Sequence, residues 1–211
     1  MNTKERILTV SLELFSRKGF DGVSVREIAR EVGVRESALY KHYKNKEDIL
    51  HKVVEVMKIR IHEAYTLNKV PEVMKKEVSK GYRELSEEQL CGMSWSLFQL
   101  YTKDPMLSNL RRLLMREQFN NKAFAAYYNE FFLKGVINRQ AITFFKLVEG
   151  GLFHKEDEQV IALQFYGPIL LLFQQYDCEP QQEAAIKELL YQHVKAFGRN
   201  YRNREAIENE K

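Results

Sequence analysis

The chain has 211 residues, 45% hydrophobic and 29% charged, with a formal net charge of +4. That length allows a small head plus a second domain with a sizeable core, and the weak positive charge excludes an argument for nucleic-acid binding from bulk electrostatics. Only 4 Pro and 10 Gly punctuate the chain, which favours long helices over many short strands.

Residues 1–50 carry ten Lys+Arg against eight Asp+Glu, a net of +2, so the placement of charge matters more than its sum. Cys91 and Cys178 are far apart, with no CxxC, and read as reduced thiols of a cytoplasmic protein. The first ten residues, MNTKERILTV, lack the apolar run of a signal peptide. The apolar run Pro168–Phe173 is far short of the ~20 residues that span a bilayer. A cytoplasmic protein with no membrane partner is the expectation.

Thr3 to Lys18 reads as a first helix, with Ile7, Leu8, Leu12 and Phe15 on one face and Gly19 as its left-handed cap. Ser24 and Glu27 have the spacing of a reciprocal capping box that starts a second helix, through Ile28, Ala29 and Val32. Gly33 supplies the turn, and Glu36 to Tyr43 reads as a third helix with Leu39 inward. Asn45 is a good N-cap for a long helix from Lys46 to about Leu67, with Glu47 and Asp48 at its positive end. Two short helices around a tight turn, followed by a basic, amide-rich step at Lys44-Asn45-Lys46, form a helix-turn-helix with an edge suited to phosphate.

Val70-Pro71 breaks the pattern, and a short helix follows from Glu72 to about Tyr82. Ser86 and Gln89 signal a capped helix through Trp95, Phe98 and Tyr101. Asp104-Pro105 starts another, ending near Asn120. Lys122 to about Gly150 reads as one long aromatic helix, and Glu156–Tyr176 and Gln182–Tyr201 as the last two. The expected fold is all-α with about nine helices. Its parts are an N-terminal three-helix helix-turn-helix DNA-binding domain over 1–46 and a helical ligand-binding and dimerisation domain over 47–203. Residues 204–211 form a polar tail.

The first 50 residues resemble the TetR/AcrR family of transcriptional regulators. The resemblance rests on Ile7-Leu8, Leu14-Phe15, Gly19-Phe20, Ser24-Val25, Ile28-Ala29, Val32-Gly33-Val34, Leu39-Tyr40, His42-Tyr43 and Lys44-Asn45-Lys46-Glu47. It implies that Tyr40, His42 and Lys46 contact phosphate. Two positions depart from the family's habit: Arg35 stands where Ser or Thr usually opens the recognition helix, and Glu36 where a polar or basic residue follows. Arg35 gives up a side-chain cap but gains a phosphate contact. A carboxylate at Glu36 is unfavourable near phosphate unless it accepts from cytosine N4 or pairs with Arg35 or Arg26.

Phosphate contacts set register and base contacts carry sequence information. Ser24, Arg26, Tyr40, His42 and Lys46 suit the first role, Ser37, Ala38 and Lys41 the second, and Arg35 either. One head reads few base pairs, so double-stranded DNA would be bound by a homodimer on a near-palindromic site. Leu163, Gly167, Leu170 and Leu171, with Ile186, Leu190, His193 and Phe197, form the candidate dimer face. Trp95, Phe98, Gln99, Phe119, Tyr127 and Phe131 are candidates to line a site for a small apolar or aromatic effector. No cofactor is implied, and no metal-ligand spacing surrounds His42. No nucleophile motif or phosphate loop is visible, so an enzyme is not expected. A ligand-released repressor is the leading expectation. A nucleoid-associated or structural DNA-binding protein without small-molecule input is the alternative.

Overall fold

The computed structural model of the protein describes residues 2–67 and 78–203. Among these there is no strand, and a single isolated antiparallel bridge joins Phe153 to Arg202. The helices are α1 (Thr3–Lys18), α2 (Val25–Val32), α3 (Glu36–Tyr40), α4 (Lys46–Leu67), α5 (Val78–Arg83), α6 (Glu87–Lys103), α7 (Pro105–Glu117), α8 (Lys122–Phe132), α9 (Lys134–Glu149), α10 (Glu158–Cys178) and α11 (Glu183–Tyr201). A 3₁₀ turn, Pro180–Gln182, precedes α11. The Val70-Pro71 break, most of the helix expected from Glu72, and the tail 204–211 lie outside the described residues.

The chain divides into two compact units, one of Met1–Ala64 with Lys103–Tyr128, the other of Tyr65–Thr102 with Asn129–Lys211. In the first, α1 packs on α2 and on α7, and α2 packs on α3. The apolar stripes foreseen from spacing are the ones buried: Ile7, Leu12 and Phe15 on α1, Ile28, Ala29 and Val32 on α2, and Leu39 on α3. Leu107, Leu110 and Leu114 of α7 and Phe124 of α8 complete this core. In the second unit α10 packs on α9 and α11, and α5 on α9. Its core gathers Phe144, Leu147, Leu152, Phe153, Ile161, Phe197 and Tyr201.

Helix starts follow the caps written in the sequence. The Ser86 hydroxyl accepts from the Gln89 amide (3.2 Å) and Gln89 Oε1 accepts from the Ser86 amide (2.8 Å). The Asp104 carboxylate accepts from the Met106 and Leu107 amides at 3.0 and 2.9 Å, ahead of Pro105. At Ser24 the hydroxyl accepts from the Glu27 amide (3.1 Å), and the Glu27 carboxylate is held chiefly by the Lys18 ammonium with a weaker contribution from the Ser24 backbone.

Several helix bounds differ from expectation, and α10 runs on to Cys178 while α11 starts at Glu183. α3 ends at Tyr40, not Tyr43, because the chain tightens as the His42 amide donates to Leu39 O three residues back (2.9 Å). α10 starts at Glu158, with Asp157 as the cap accepting from Gln159 and Val160. The segment 122–150 is two helices, broken at Leu133. Asn129 Oδ1 accepts from the Lys134 amide (3.4 Å), and Gly135 lies so close to the preceding helix that a Cβ there would sit 1.9 Å from Glu130 O. An interior glycine in an aromatic run was the available signal of this break. Gly135→Ala is therefore expected to destabilise the fold by about 2 kcal/mol through overpacking, read as a lower urea midpoint.

Candidate nucleic-acid interface

The turn between α2 and α3 is closed by Gly33, whose φ of 76° lets its amide reach Ala29 O and Arg30 O. Val34 N also donates to Ala29 O (2.9 Å). With Leu39 fully buried, α3 has one orientation, and Arg35, Ser37, Tyr40, Lys41 and His42 are exposed while Ala38 is half-buried. Tyr40 is 53% exposed, so its ring is on the outer face of the head and not packed into it. Arg35 occupies the N-cap without a side-chain capping bond.

The acidic departure at Glu36 has a partner. Arg26 Nε lies 3.8 Å from Glu36 Oε1, an exposed pair linking α2 to α3. Glu27 is held by the Lys18 ammonium, with Arg30 4.0 Å away. The hydrogen bond from Lys18 keeps the Glu27 carboxyl below the usual carboxylate range.

Lys46 opens α4 and is half-buried. Its Nζ donates to Phe20 O (2.9 Å) and stands 4.7 Å from the centroid of the Phe20 ring. The step before it is ordered by Asn45 Oδ1 accepting from the Asp48 amide (2.8 Å) and Asp48 Oδ2 accepting from the Lys44 amide (2.9 Å). Ser24, Tyr40, Asn45 and Lys46 line one cleft of about 490 Å³, together with Asp21, Glu27 and Glu47. Ser24 and Glu27 also line a second cleft of about 660 Å³, with Arg26, Arg30 and Glu36. The structure thus brings Ser24, Tyr40 and Lys46 together, and places Arg26 beside them.

The remaining candidates are placed less uniformly. Trp95 and Phe98 stack at 5.3 Å in the second unit, and Phe98 stacks on Phe173 at 5.0 Å. Tyr101 continues this group against Phe173 (5.6 Å) and Phe132 (6.0 Å), and Phe131 adjoins Phe132 (6.1 Å). Gln99 is half-buried. Phe119 and Tyr127 belong to the first unit, and Phe119 is 86% exposed, so it lines no enclosed site there. Sequence spacing did not single out Tyr65 and Tyr82. Burial raises the pKa of both, and the Tyr101 hydroxyl donates to that of Tyr65.

On the last two helices Ile186 and Leu190 are 0% exposed and Phe197 is buried in the aromatic core, so these three are spent inside the single chain. His193 is half-buried, with Nε2 2.8 Å from Phe165 O, and Gly167 and Leu170 are half-buried. Leu163 (56%) and Leu171 (66%) remain outward, joined by Val160 and Leu189. Helical spacing identified an apolar face correctly but could not say which neighbour it met. Among the described residues no helix is long and apolar enough to cross a membrane, and no group of three His, Cys, Asp or Glu is placed to hold a metal.

Two short helices around a glycine turn, the second with an exposed outer face, form a helix-turn-helix. Residues 7–53 match the family described as bacterial regulatory proteins, tetR family. It is 33% identical over 93 residues to the uncharacterized HTH-type transcriptional regulator YerO of Bacillus subtilis, covering 41% of this chain and 32% of that protein. It is 42% identical over 52 residues to the biofilm operon icaADBC negative transcriptional regulator IcaR of Staphylococcus epidermidis, covering 25% of this chain and 28% of that one. The chain thus matches about a third or less of the length of these relatives. Along its whole length it shares the fold of SmeT from Stenotrophomonas maltophilia, solved in complex with triclosan (TM-score 0.74, 16% identity, 97% of this chain and 93% of that chain). It also shares the fold of FadR from Bacillus subtilis, solved with stearoyl-CoA (TM-score 0.60, 21% identity, 89% and 97%).

The Lys18–Glu27 link can be checked directly. The Glu27 carboxyl should titrate below the ordinary glutamate range by NMR, and Lys18→Ala should move it back up. Because the folded value is depressed, the link stabilises the fold above the unfolded-state value and is lost as pH falls through the folded one.

Proposed function

We propose that this chain is a transcriptional repressor that binds a palindromic operator as a homodimer and is released by a small apolar or aromatic ligand. The observation that carries the reading is the recognition helix. Leu39 is buried beneath α3, and Ser37, Tyr40, Lys41 and His42 face outward, within a segment that matches the tetR family. In this reading residues 1–46 read DNA, and 47–203 hold the effector and the dimer contacts.

Ser24, Arg26, Tyr40, His42 and Lys46 grip phosphate. An ammonium carries three donors, and Lys46 gives one to Phe20 O, so the head is already shaped for the contact. Ser37, Ala38 and Lys41 meet base edges: Lys41 donates to guanine O6 or N7, and Ala38 meets a thymine methyl. Arg35 serves either role. The outward stripe Leu163–Gly167–Leu171, with Leu170 and Leu189 beside it, is the dimer face. Trp95, Phe98, Gln99 and Phe131, with Tyr101 and Phe173, are the effector-facing group. That fold relatives were solved with triclosan and with stearoyl-CoA supports an apolar or aromatic effector. α4 runs unbroken from Lys46 to Leu67. A ligand with different affinity for two tilts of this helix would change the spacing of the two heads, and heads out of step with successive grooves lose the operator.

Gel-shift titration with DNA from upstream of the chain's own gene tests the core of this reading. Binding should be sequence-selective and weaken steeply with salt. Lys46→Ala should weaken all sequences alike and reduce the log–log salt slope by about 0.9, one phosphate contact, while Lys41→Ala should flatten the sequence preference. The absence of selective binding to that fragment would sink the proposal. A second measurement addresses the partner: Leu163→Glu with Leu171→Glu should leave a folded monomer in sedimentation velocity, and an intact dimer would move the interface elsewhere.

A further inference from the structure

The corner between α1 and α2, Gly19–Phe20, is held from a distant part of the sequence. The Arg116 guanidinium, near the end of α7, donates through Nη1 to Ser16 O (3.1 Å) and through Nη2 to Phe15 O (2.9 Å). These are carbonyls of the last turn of α1, where the dipole favours a cation, and Phe15 O also accepts from the Gly19 amide (2.9 Å). The next residue, Glu117, accepts from the Phe20 amide (3.4 Å) and from Arg116 Nε (3.2 Å) on the same oxygen. Both side chains lie over a bare backbone. A Cβ on Gly19 would meet Glu117 Oε1 at 3.3 Å and Arg116 Nη2 at 3.6 Å, and Gly19 itself has φ +83°. Glycine is required there by conformation, and the two side chains of the clamp lie within contact of where a Cβ would sit.

What the clamp holds is Phe20. Its ring packs against Phe15 at 4.9 Å and Phe124 at 5.1 Å, and its carbonyl and ring face are the two partners of Lys46 Nζ. The chain of contacts is continuous: α7 end, α1 end, Phe20, Lys46. Every link is a hydrogen bond or a ring contact within one compact unit.

We infer that Arg116 is a positioning residue for DNA binding, acting through the Gly19–Phe20 corner to set the Lys46 ammonium where it meets phosphate. The inference rests on the DNA-binding reading above but concerns a residue 70 positions from the one it controls.

Two readouts test it, one of them independent of DNA. The first is the NMR shift of the Lys46 Cε protons, which the Phe20 ring should displace upfield. Arg116→Ala should return them toward the free-lysine position, and an unchanged shift overturns the inference whatever the protein binds. The second is a double-mutant cycle in the gel-shift assay. Arg116→Ala and Lys46→Ala should each weaken binding about tenfold, and the double variant should be no more than about twofold weaker than Lys46→Ala alone. Full additivity would assign Arg116 a role separate from Lys46 and refute the relay. Arg116→Lys keeps the charge but loses the two-carbonyl fork, and should behave like Arg116→Ala. Wild-type behaviour of Arg116→Lys would replace the clamp with simple helix-end electrostatics. Should Arg116→Ala unfold by circular dichroism, Arg116→Lys and Glu117→Ala carry the same two readouts. Failure of the wild type to bind the upstream fragment would count against the DNA reading alone, since the proton shift is read without DNA.

Discussion

The N-terminal helix-turn-helix depends on the burial of one face of α1. α2 has eight residues and α3 five, well below the ~12–15 that an isolated helix needs in water. They are helical because Ile28, Ala29, Val32 and Leu39 are taken into a core with Ile7, Leu12 and Phe15. α1 is itself held on two sides, by α2 and by α7. Loss of α1 packing would not loosen α3 but dissolve it, and with it the outward set Ser37, Tyr40, Lys41 and His42.

Charge is handled locally. The first 50 residues are nearly balanced in total, and two acidic groups beside α3 have basic partners: Glu27 with Lys18 and Arg30, Glu36 with Arg26. Exposed pairs of this kind add little to stability. Their effect is on the field: two carboxylates that would repel phosphate are offset at the surface where Tyr40, Lys41 and His42 emerge. The carboxylate of Glu36 is accommodated this way at the level of the single chain.

The aromatic supply of the second unit falls into two groups with different consequences. Phe144, Phe153, Phe165, Phe197 and Tyr201 form a tight cluster, with Phe165 and Phe197 at 4.8 Å and Phe197 and Tyr201 at 4.7 Å. A strap closes this end: Asn203 Nδ2 donates to Gly151 O (2.8 Å), the Asn203 amide to Leu152 O, and the His154 amide to Tyr201 O. Those rings are core, and they account for Phe197 having no outward role. The Trp95–Phe98–Phe173–Tyr101 group stands apart from that list, and it is the group to which the effector proposal attaches.

Local chemistry was enough to place most helices. Caps at Ser86 and Asp104, the glycine turn at Gly33 and the apolar stripes of α1 and α2 depend on residues within a few positions of one another, so the sequence by itself determined them, as it did the outward set on α3. Other features were out of its reach because their partners are distant in the chain. Glu27 has the spacing to return to Ser24, but no local rule points to the ammonium nine residues back that also holds its carboxylate. Ile186 and Leu190 have the period of an exposed seam, but period reports a face and not its neighbour, and only packing assigned them to the interior. The tie of Lys46 to Phe20, and the clamp of Arg116 on α1, join positions 26 and about 100 residues apart. The tertiary structure alone decided those, because a side chain's hydrogen bonds are chosen by what folding brings within 3 Å, and no local rule carries that distance.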